Sequence, residues 1–503
     1  MKITFVYMGA ESLAIEYLSS VLKARGHTVS LAFDPALFDD KQYLSLPMLA
    51  KVFSARKRVI CEVAAAKPDL VAFSVGTDIY AWALSTAQDI KKALDVPVIF
   101  GGVHATAVPE RVIARNCVDM VCLGEGEEAL LELADSFDAG AINYSINNIW
   151  FKKNGQVLKN PVRALAADLD RLPFPDKELF AGVIPIKNGK YMLMTSRGCP
   201  YKCTYCYNDV LKDFYAGLGK FVRQRTPDNV LEELRVMKKR YNYTSVAFMD
   251  DLFVGNKAWF KEFIPKYRAE INLPYSCMTS TNVIDEETAL ALRDSGCSRL
   301  QFGIQTMHEP TRVNVLARNF ESTEHIKRAI RICDKMGISY SLDHIFGIPY
   351  EGAAEFELTA EFFVSTRADR LCCYALFYYP KTNITEIARR HGILTDKDIE
   401  DIEEGRGKLY VYGSSLKGAD LKIFYALRKL YSVAPLLPKK FNRYLVKSGK
   451  YKLLRFLPRF AALFCEVISA VSTRHPRAND YLRYYLMHIF RRGGFKTRPY
   501  NER

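Results

Sequence analysis

Short continuous apolar runs recur through the first 140 residues: KITFVYM at 2–8, TVSLAF at 28–33, DLVAFSV at 69–75, VPVIFGG at 96–102 and DMVCLGEG at 119–126. Between and after them, apolar positions return every three or four residues, which predicts helices around Leu13–Arg25, Ala55–Ala66, Ile79–Ala93 and Glu127–Ser136. Strands apolar on both sides and alternating with helices predict a parallel sheet covered on both faces, with its ligand site at the strands' carboxyl ends. Those ends carry Ser74-Val75-Gly76-Thr77, Gly101-Gly102-Val103-His104 and Gly124-Glu125-Gly126-Glu127. Glycine there permits close backbone approach to a ligand, and the helix N-termini that follow suit phosphate. Turn chemistry alone explains glycine after any one strand, so three such loops in one sheet weigh more than each singly.

Residues 141–190 read as a connector, with a hairpin signal centred on Asn154-Gly155 and a proline-marked extended run, DRLPFPD. A second alternation follows over 191–385. Its strands are YMLMTSRG, SVAFMDD, PYSCMTST, RLQFGIQT, SYSLDHIFG and RLCCYALFYYP, with helices expected near Pro227–Tyr241, Lys257–Glu270, Glu286–Ser295, Ser322–Lys335 and Ala353–Ser365. Thr226 before Pro227, Asp285 before two glutamates, and Gly296 or Gly337 at an end are the expected helix termini. Six βα units in series predict a partial (β/α) barrel, again with its chemistry at the strand C-termini.

Length and composition add limits. A chain of 503 residues suits several domains, and 49% hydrophobic with 25% charged residues excludes disorder, collagen-like repeats and a disulfide mini-scaffold. The net charge of +15 would point to a polyanion partner if it were spread over the molecule. It is not. Residues 405–503 hold 22 Lys or Arg against 4 Asp or Glu, a local +18, which leaves −3 on the first 404 residues. The N-terminal MKITFVYMGAES lacks the parts of a signal peptide, and no run approaches about 18 apolar residues, so a cytoplasmic chain without a spanning helix is expected. Twelve unevenly spaced cysteines fit reduced thiols better than a disulfide framework.

The sharpest chemical signal is Cys199-Pro-Tyr-Lys-Cys203-Thr-Tyr-Cys206, in the loop after the first barrel strand. Three thiolates at this spacing can wrap one face of an iron–sulfur cube and leave one iron without a protein ligand, open to substrate. The alternatives are three core cysteines or a zinc site, although zinc generally takes four ligands in paired spacing, and the next cysteine, Cys277, is distant in sequence.

With this loop the chain resembles the radical S-adenosylmethionine (SAM) enzymes, whose hallmark is CxxxCxxC after the first barrel strand. The resemblance implies that Cys199, Cys203 and Cys206 ligate a [4Fe-4S] cluster. It implies that SAM chelates the fourth iron and yields a 5′-deoxyadenosyl radical on reduction, and that Tyr205 contacts adenine. Asp250 and Asp251 at the end of the second strand, Gln305 in FGIQT, and DHIFGIPYE resemble further parts of the family's SAM site. Asp250-Asp251 also reads as a helix cap, Gln305 as a satisfied core amide, and the family's Gly-Gly-Glu pattern is not evident in the second strand. The first domain resembles the Rossmann-like cobalamin-binding domain placed ahead of many radical SAM enzymes. FSVGTD, GGVHAT and GEGEEAL match its loops, and LPFPD matches its connector. On that resemblance Ser74, Gly76, Thr77, Gly101, Gly102, His104, Gly124 and Glu125 are expected against cobalamin. The Asp-x-His-x-x-Gly motif that ligates cobalt in mutase-type domains is absent, and His27 reads as structural.

Together these readings give an α/β chain: a cobalamin-binding domain (1–140), a connector (141–190), a partial (β/α)6 TIM-like barrel (191–385) and a basic, mainly helical C-terminal domain (386–503). The function implied is C-methylation of an unactivated carbon on a hydrophobic, lipid- or polyprenoid-like substrate, with flavodoxin or ferredoxin as reductant. The alternatives are radical rearrangement, cyclisation or oxidation without methyl transfer, and, outside enzymes, a cobalamin or redox sensor. Tyr207, Tyr378 and Tyr379 are pocket candidates that also suit core packing. The basic C-terminal segment interleaves Lys and Arg with Leu, Phe and Tyr. It suits a helical cap on the barrel or peripheral attachment to the inner, anionic membrane face, and no recognisable RNA module supports nucleic-acid binding.

Overall fold

The computed structural model describes residues 1–39, 46–184, 189–407 and 416–457, with 465, 467–469, 471–472 and 483–489 beyond them. In the first sheet, β1 (Lys2–Met8), β2 (Thr28–Asp34), β3 (Leu70–Ser74), β4 (Val98–Gly101) and β5 (Met120–Cys122) run parallel. The order is β2-β1-β3-β4-β5, and the hairpin β6 (Ile149–Lys153) and β7 (Gln156–Lys159) then extends the sheet antiparallel to β5. Asn154 and Gly155 both take positive φ, as a two-residue hairpin turn requires. The signal placed in the connector thus adds two strands to the first sheet.

The second sheet contains β8 (Lys190–Leu193), β11 (Ser245–Phe248), β12 (Tyr275–Thr279), β13 (Cys297–Gln305), β14 (Tyr340–Phe346) and β15 (Arg370–Ala375). All six are parallel in sequential order, an open (β/α)6 barrel, while a two-stranded ribbon, β9 (Ser196–Arg197) with β10 (Arg223–Gln224), flanks the cysteine loop. Helix termini follow the sequence signals. Thr226 Oγ1 accepts from the Asn229 N–H, Asp285 from the Thr288 N–H, and Gly337 closes the helix Thr323–Met336 with φ of 67°. Along β14, Tyr340, Leu342 and Phe346 bury against the helices, and the alternate set, Ser341, Asp343 and Ile345, faces the concave side.

Two ionic clamps join the parts, the first buried and the second partly exposed. Lys177 Nζ from the connector donates to Glu11 Oε1 (2.6 Å) and Glu16 Oε2 (2.7 Å), and lies 5.0 Å from the ring centre of Tyr191 on β8. On another side, Arg111 Nε donates to Glu403 Oε2 (3.0 Å) and Arg115 pairs with Glu404, which ties the first domain to the helix Asp396–Glu403. The helix Gly418–Val433 buries Phe424, Leu427 and Tyr431 in the barrel's own core cluster, so this part of the C-terminal segment is a cap on the barrel's outer face. Residues 483–489 return to the first domain, where Tyr484 Oη donates to the carbonyls of Gly9 (2.6 Å) and Pro35 (3.0 Å). No helix among the described residues is long and apolar enough to cross a membrane.

Candidate active site

A cleft of about 440 Å³ lies where the carboxyl ends of the first sheet meet the cysteine loop of the second. Ser74, Gly101, Gly102, Gly124 and Glu125 line it from the first domain, and Tyr207, Asn208 and Asp251 from the barrel. Parallel strands put every loop of this kind at one end of its own sheet, and the contacts between the domains bring the two ends together.

On the barrel side, the loop is held from behind. Asp250, fully buried at the end of the second barrel strand, accepts from the Thr195 N–H (3.0 Å), Thr195 Oγ1 (2.8 Å) and Ser196 Oγ (2.5 Å). Its carboxylate is therefore turned to the backbone that enters the cysteine loop, whereas its neighbour Asp251 lines the cleft. Arg318 Nη1 donates to Tyr205 Oη (3.0 Å) and lies 3.9 Å from Cys203 Sγ, while its Nη2 donates to the Gly303 carbonyl (2.7 Å). Glu321 pairs with Arg318 and also accepts from Thr281 Oγ1 (2.5 Å), which fixes the guanidinium against the loop. Tyr205 packs among Val315, Leu316 and Tyr378, inside the loop's support.

The three thiols are half-buried. Burial pushes Cys199 up to about 11 and Cys206 up to about 12, so without a metal they hold their protons, and ligation is what deprotonates them. No group of three or more His, Cys, Asp or Glu among the described residues converges on one metal ion. In a cube each thiolate takes its own iron, so the three need not share one centre. Gln305 ends β13 with φ of 68° at a bulge in its pairing with β14, and its buried Oε1 has no partner. The buried acceptor is thus available to a donor from outside the chain. Glu351, the last residue of DHIFGIPYE, is held up at about 7 by burial despite accepting from Thr306 Oγ1 (2.6 Å).

On the other side, the glycines answer first to the protein's own packing. A Cβ on Gly102, with φ of 93°, would stand 2.7 Å from the Val75 nitrogen, and one on Gly124 would overlap Tyr215 Oη, which accepts from the Glu125 N–H (2.7 Å). A Cβ on Gly76 would meet Asp78 Oδ1 at 2.7 Å. Glu125 faces a two-arginine clamp: Arg223 Nη2 donates at 2.5 Å and Nη1 at 2.9 Å, and Arg197 Nη1 lies 3.3 Å away. Burial alone would raise this carboxyl, but the arginines outweigh it and hold it below its ordinary value. His104 lies in a five-residue helix, Val103–Ala107, with its ring turned away from the cleft onto Tyr80 (4.1 Å between centres). Burial holds it down at about 4, so it is neutral. Its Nδ1 meets Thr77 Oγ1 (3.0 Å), and Thr77 Oγ1 meets Tyr207 Oη (2.8 Å), one residue beyond Cys206. The cobalamin-side and cluster-side candidates are thus joined by a hydrogen-bonded chain. Tyr207 also stacks near Tyr379 (4.7 Å), whereas Tyr378 is core.

Residues 6–134 match the model of the B12 binding domain, and residues 193–363 match that of the radical SAM superfamily. The chain is a cobalamin-type radical SAM enzyme. The B12-binding domain supplies the glycine-rich side of the cleft, and the radical SAM domain supplies Arg197, Gly198, Tyr207 and Asn208, which flank the three cysteines in sequence, while the cysteines themselves lie outside its walls. The chain is 27% identical over 395 residues to an uncharacterized methyltransferase of Pyrococcus horikoshii, covering 76% of this chain and 79% of that protein. It is 25% identical to the anaerobic magnesium-protoporphyrin IX monomethyl ester cyclase of Rubrivivax gelatinosus (69% and 60% covered) and 24% identical to the hopanoid C-2 methylase of Rhodopseudomonas palustris (60% and 54%). Among solved structures, the cobalamin-dependent enzyme OxsB superposes with a TM-score of 0.65 at 16% identity, covering 97% of this chain and 75% of OxsB. The methyltransferase TsrM of Kitasatospora setae gives 0.60 at 19%, covering 77% and 76%, and at such identities both establish the fold.

The cofactors of this radical SAM enzyme are a [4Fe-4S] cluster, SAM and cobalamin, and the residues present fit them. The fit rests on three soft thiols on one loop, an unpartnered buried amide oxygen at Gln305, and a cleft lined from both domains. Arg318, Glu321, Tyr215, Arg197 and Arg223 did not emerge from the sequence. Arg197, directly before Gly198-Cys199, is the one with a legible signal, a charged residue adjoining the cysteine motif.

Proposed function

We propose that this methyltransferase-type enzyme methylates an unactivated carbon of a hydrophobic, lipid- or polyprenoid-like small molecule, with a flavodoxin or ferredoxin as reductant. The observation that carries the reading is a cleft lined from both domains, with Leu13, Leu18, Ile99, Leu211 and Phe221 in its walls. When bound, the cluster with SAM supplies cleavage of an unactivated C–H bond, and cobalamin supplies a methyl group. The protein's part is positioning. Cys199, Cys203 and Cys206 hold the cluster, Asp250 and Arg318 fix their loop, and Gln305 Oε1 accepts from a ligand donor. The apolar walls exclude water, which keeps a reactive centre from being quenched. A lipid-like substrate is favoured by the apolar lining and by the hopanoid methylase among the relatives. The basic C-terminal segment would bring the enzyme to a membrane surface where such a substrate resides.

Rearrangement, cyclisation or oxidation without methyl transfer is a second reading, favoured by the cyclase relative. Anaerobic reconstitution decides the cluster: Cys199→Ala, Cys203→Ala and Cys206→Ala should each abolish the iron–sulfur EPR signal, and unchanged iron content would overturn the assignment. With SAM, reductant and a lipid extract, 5′-deoxyadenosine together with S-adenosylhomocysteine is expected. 5′-Deoxyadenosine alone selects the second reading, and neither product selects a sensor.

A further inference from the structure

We propose that residues 436–457 form a rigid docking surface for an anionic lipid bilayer. This deepens the membrane reading above and rests on it.

The surface is built by helical period. The helix Lys439–Lys447 buries Asn442 and Val446, one turn apart, and turns Phe441, Tyr444 and Lys440 to solvent. Lys450–Phe456 is a 3₁₀ helix, in which every third side chain aligns. One row, Tyr451 and Leu454, packs inward: Tyr451 is fully buried, with its hydroxyl on Glu357 (2.7 Å). The next row, Lys450, Leu453 and Phe456, is exposed. Lys450 touches Tyr444, which joins the two elements into one ridge running Phe441, Tyr444, Lys450, Leu453, Phe456.

An ordinary surface scatters its apolar residues singly, but here they adjoin. Phe456 is 72% exposed, Leu453 64%, Tyr444 48%, Phe441 46% and Leu457 46%. The cations between them are placed as at a lipid interface. Lys450 Nζ stands 4.8 Å from the Tyr444 ring centre and the Arg455 guanidinium 4.6 Å from that of Phe456. Arg443 and Lys447 are drawn back onto Glu361, and Lys452 onto Glu357, so Lys440, Lys450 and Arg455 carry the outward charge. No acidic residue occurs in 436–457. The ridge is also stiff. Lys429, buried in the preceding helix, donates from Nζ to the carbonyls of Leu454 (2.9 Å), Arg455 (3.3 Å) and Leu457 (2.5 Å), which caps the end of the 3₁₀ turn. Positive charge interleaved with exposed aromatic and aliphatic side chains is the chemistry of a phosphate-rich surface with an apolar layer beneath.

The test is flotation of the full chain with vesicles of phosphatidylcholine alone or with phosphatidylglycerol. The full chain should float only with the anionic vesicles. Lys440→Glu with Lys450→Glu should lower partitioning by at least ~25-fold, about fivefold per cation, and Leu453→Ser with Phe456→Ser should lower it about tenfold. Both variants leave Asn442, Val446, Tyr451 and Lys429 in place, and an unchanged melting temperature confirms folding. If the full chain floats and both variants float equally, this surface is wrong while membrane attachment stands. If the full chain does not float, both fail. Binding lost with the charge pair but untouched by the apolar pair assigns the surface to a soluble polyanion such as RNA. A dimer that dissociates in the apolar variant assigns it to a second copy, and either result overturns the proposal.

Discussion

At the scale of single residues, conformational cost marks where function sits. Gln305 combines a left-handed backbone with a buried amide oxygen that has no partner, so a donor reaching that oxygen would offset part of its cost. Gly102 is constrained by the protein itself, so Gly102→Ala should cost about 2–4 kcal/mol in urea unfolding, from a positive φ and a clash with the Val75 backbone. His104 offers a test with a defined sign. Its folded value of about 4 lies below the ordinary 6.5, so between those pH values the unfolded chain binds the extra proton and stability falls on acidification. Glu351, raised to about 7, has the opposite slope between 4.5 and 7. Replacing His104 by Gln should therefore flatten the acid-side loss of stability between pH 6.5 and 4 and leave the Glu351 slope in place. The cysteine triplet was legible in the sequence because its spacing is its chemistry. Arg318 was not, because it reaches Cys203 from 115 residues away in the chain and has no local pattern.

Among elements, period and terminal signals located the main sheet strands and the long helices that cover them, since an apolar run bounded by a capping residue has few alternatives, but not short helices such as Pro47–Val52, Tyr207–Phe214 and Glu309–Asn314, which span too few turns to show a period. Two local misplacements share one cause, that partners lie outside the window being read. The Asn154-Gly155 hairpin joined the first sheet because the edge of β5 was open to pairing. GGVHAT ran directly into a short helix, which rotates His104 from the cleft to the core behind it. The loop-holding carboxylate gives a prediction at this scale. Asp250→Ala leaves the buried Thr195 N–H without its acceptor, which should cost about 1–3 kcal/mol and reduce cluster retention while far-UV circular dichroism is kept.

For the whole molecule, charge partition was the informative sequence feature: a near-neutral catalytic body and a basic C-terminal segment, part of which the structure places on the barrel's outer face. The relation between the two sheets was not legible, because it rests on ion pairs between residues far apart in sequence. Lys177 is the clearest of them. Lys177→Met would leave Glu11 and Glu16 buried without a counter-charge, and a loss of about 3–5 kcal/mol is expected, together with faster hydrogen exchange along the seam between the domains. The short chain of hydrogen bonds from His104 through Thr77 to Tyr207 crosses that same seam and ends beside Cys206. A packing change around Thr77 in the N-terminal domain is therefore felt one residue from Cys206, in the loop of the other domain.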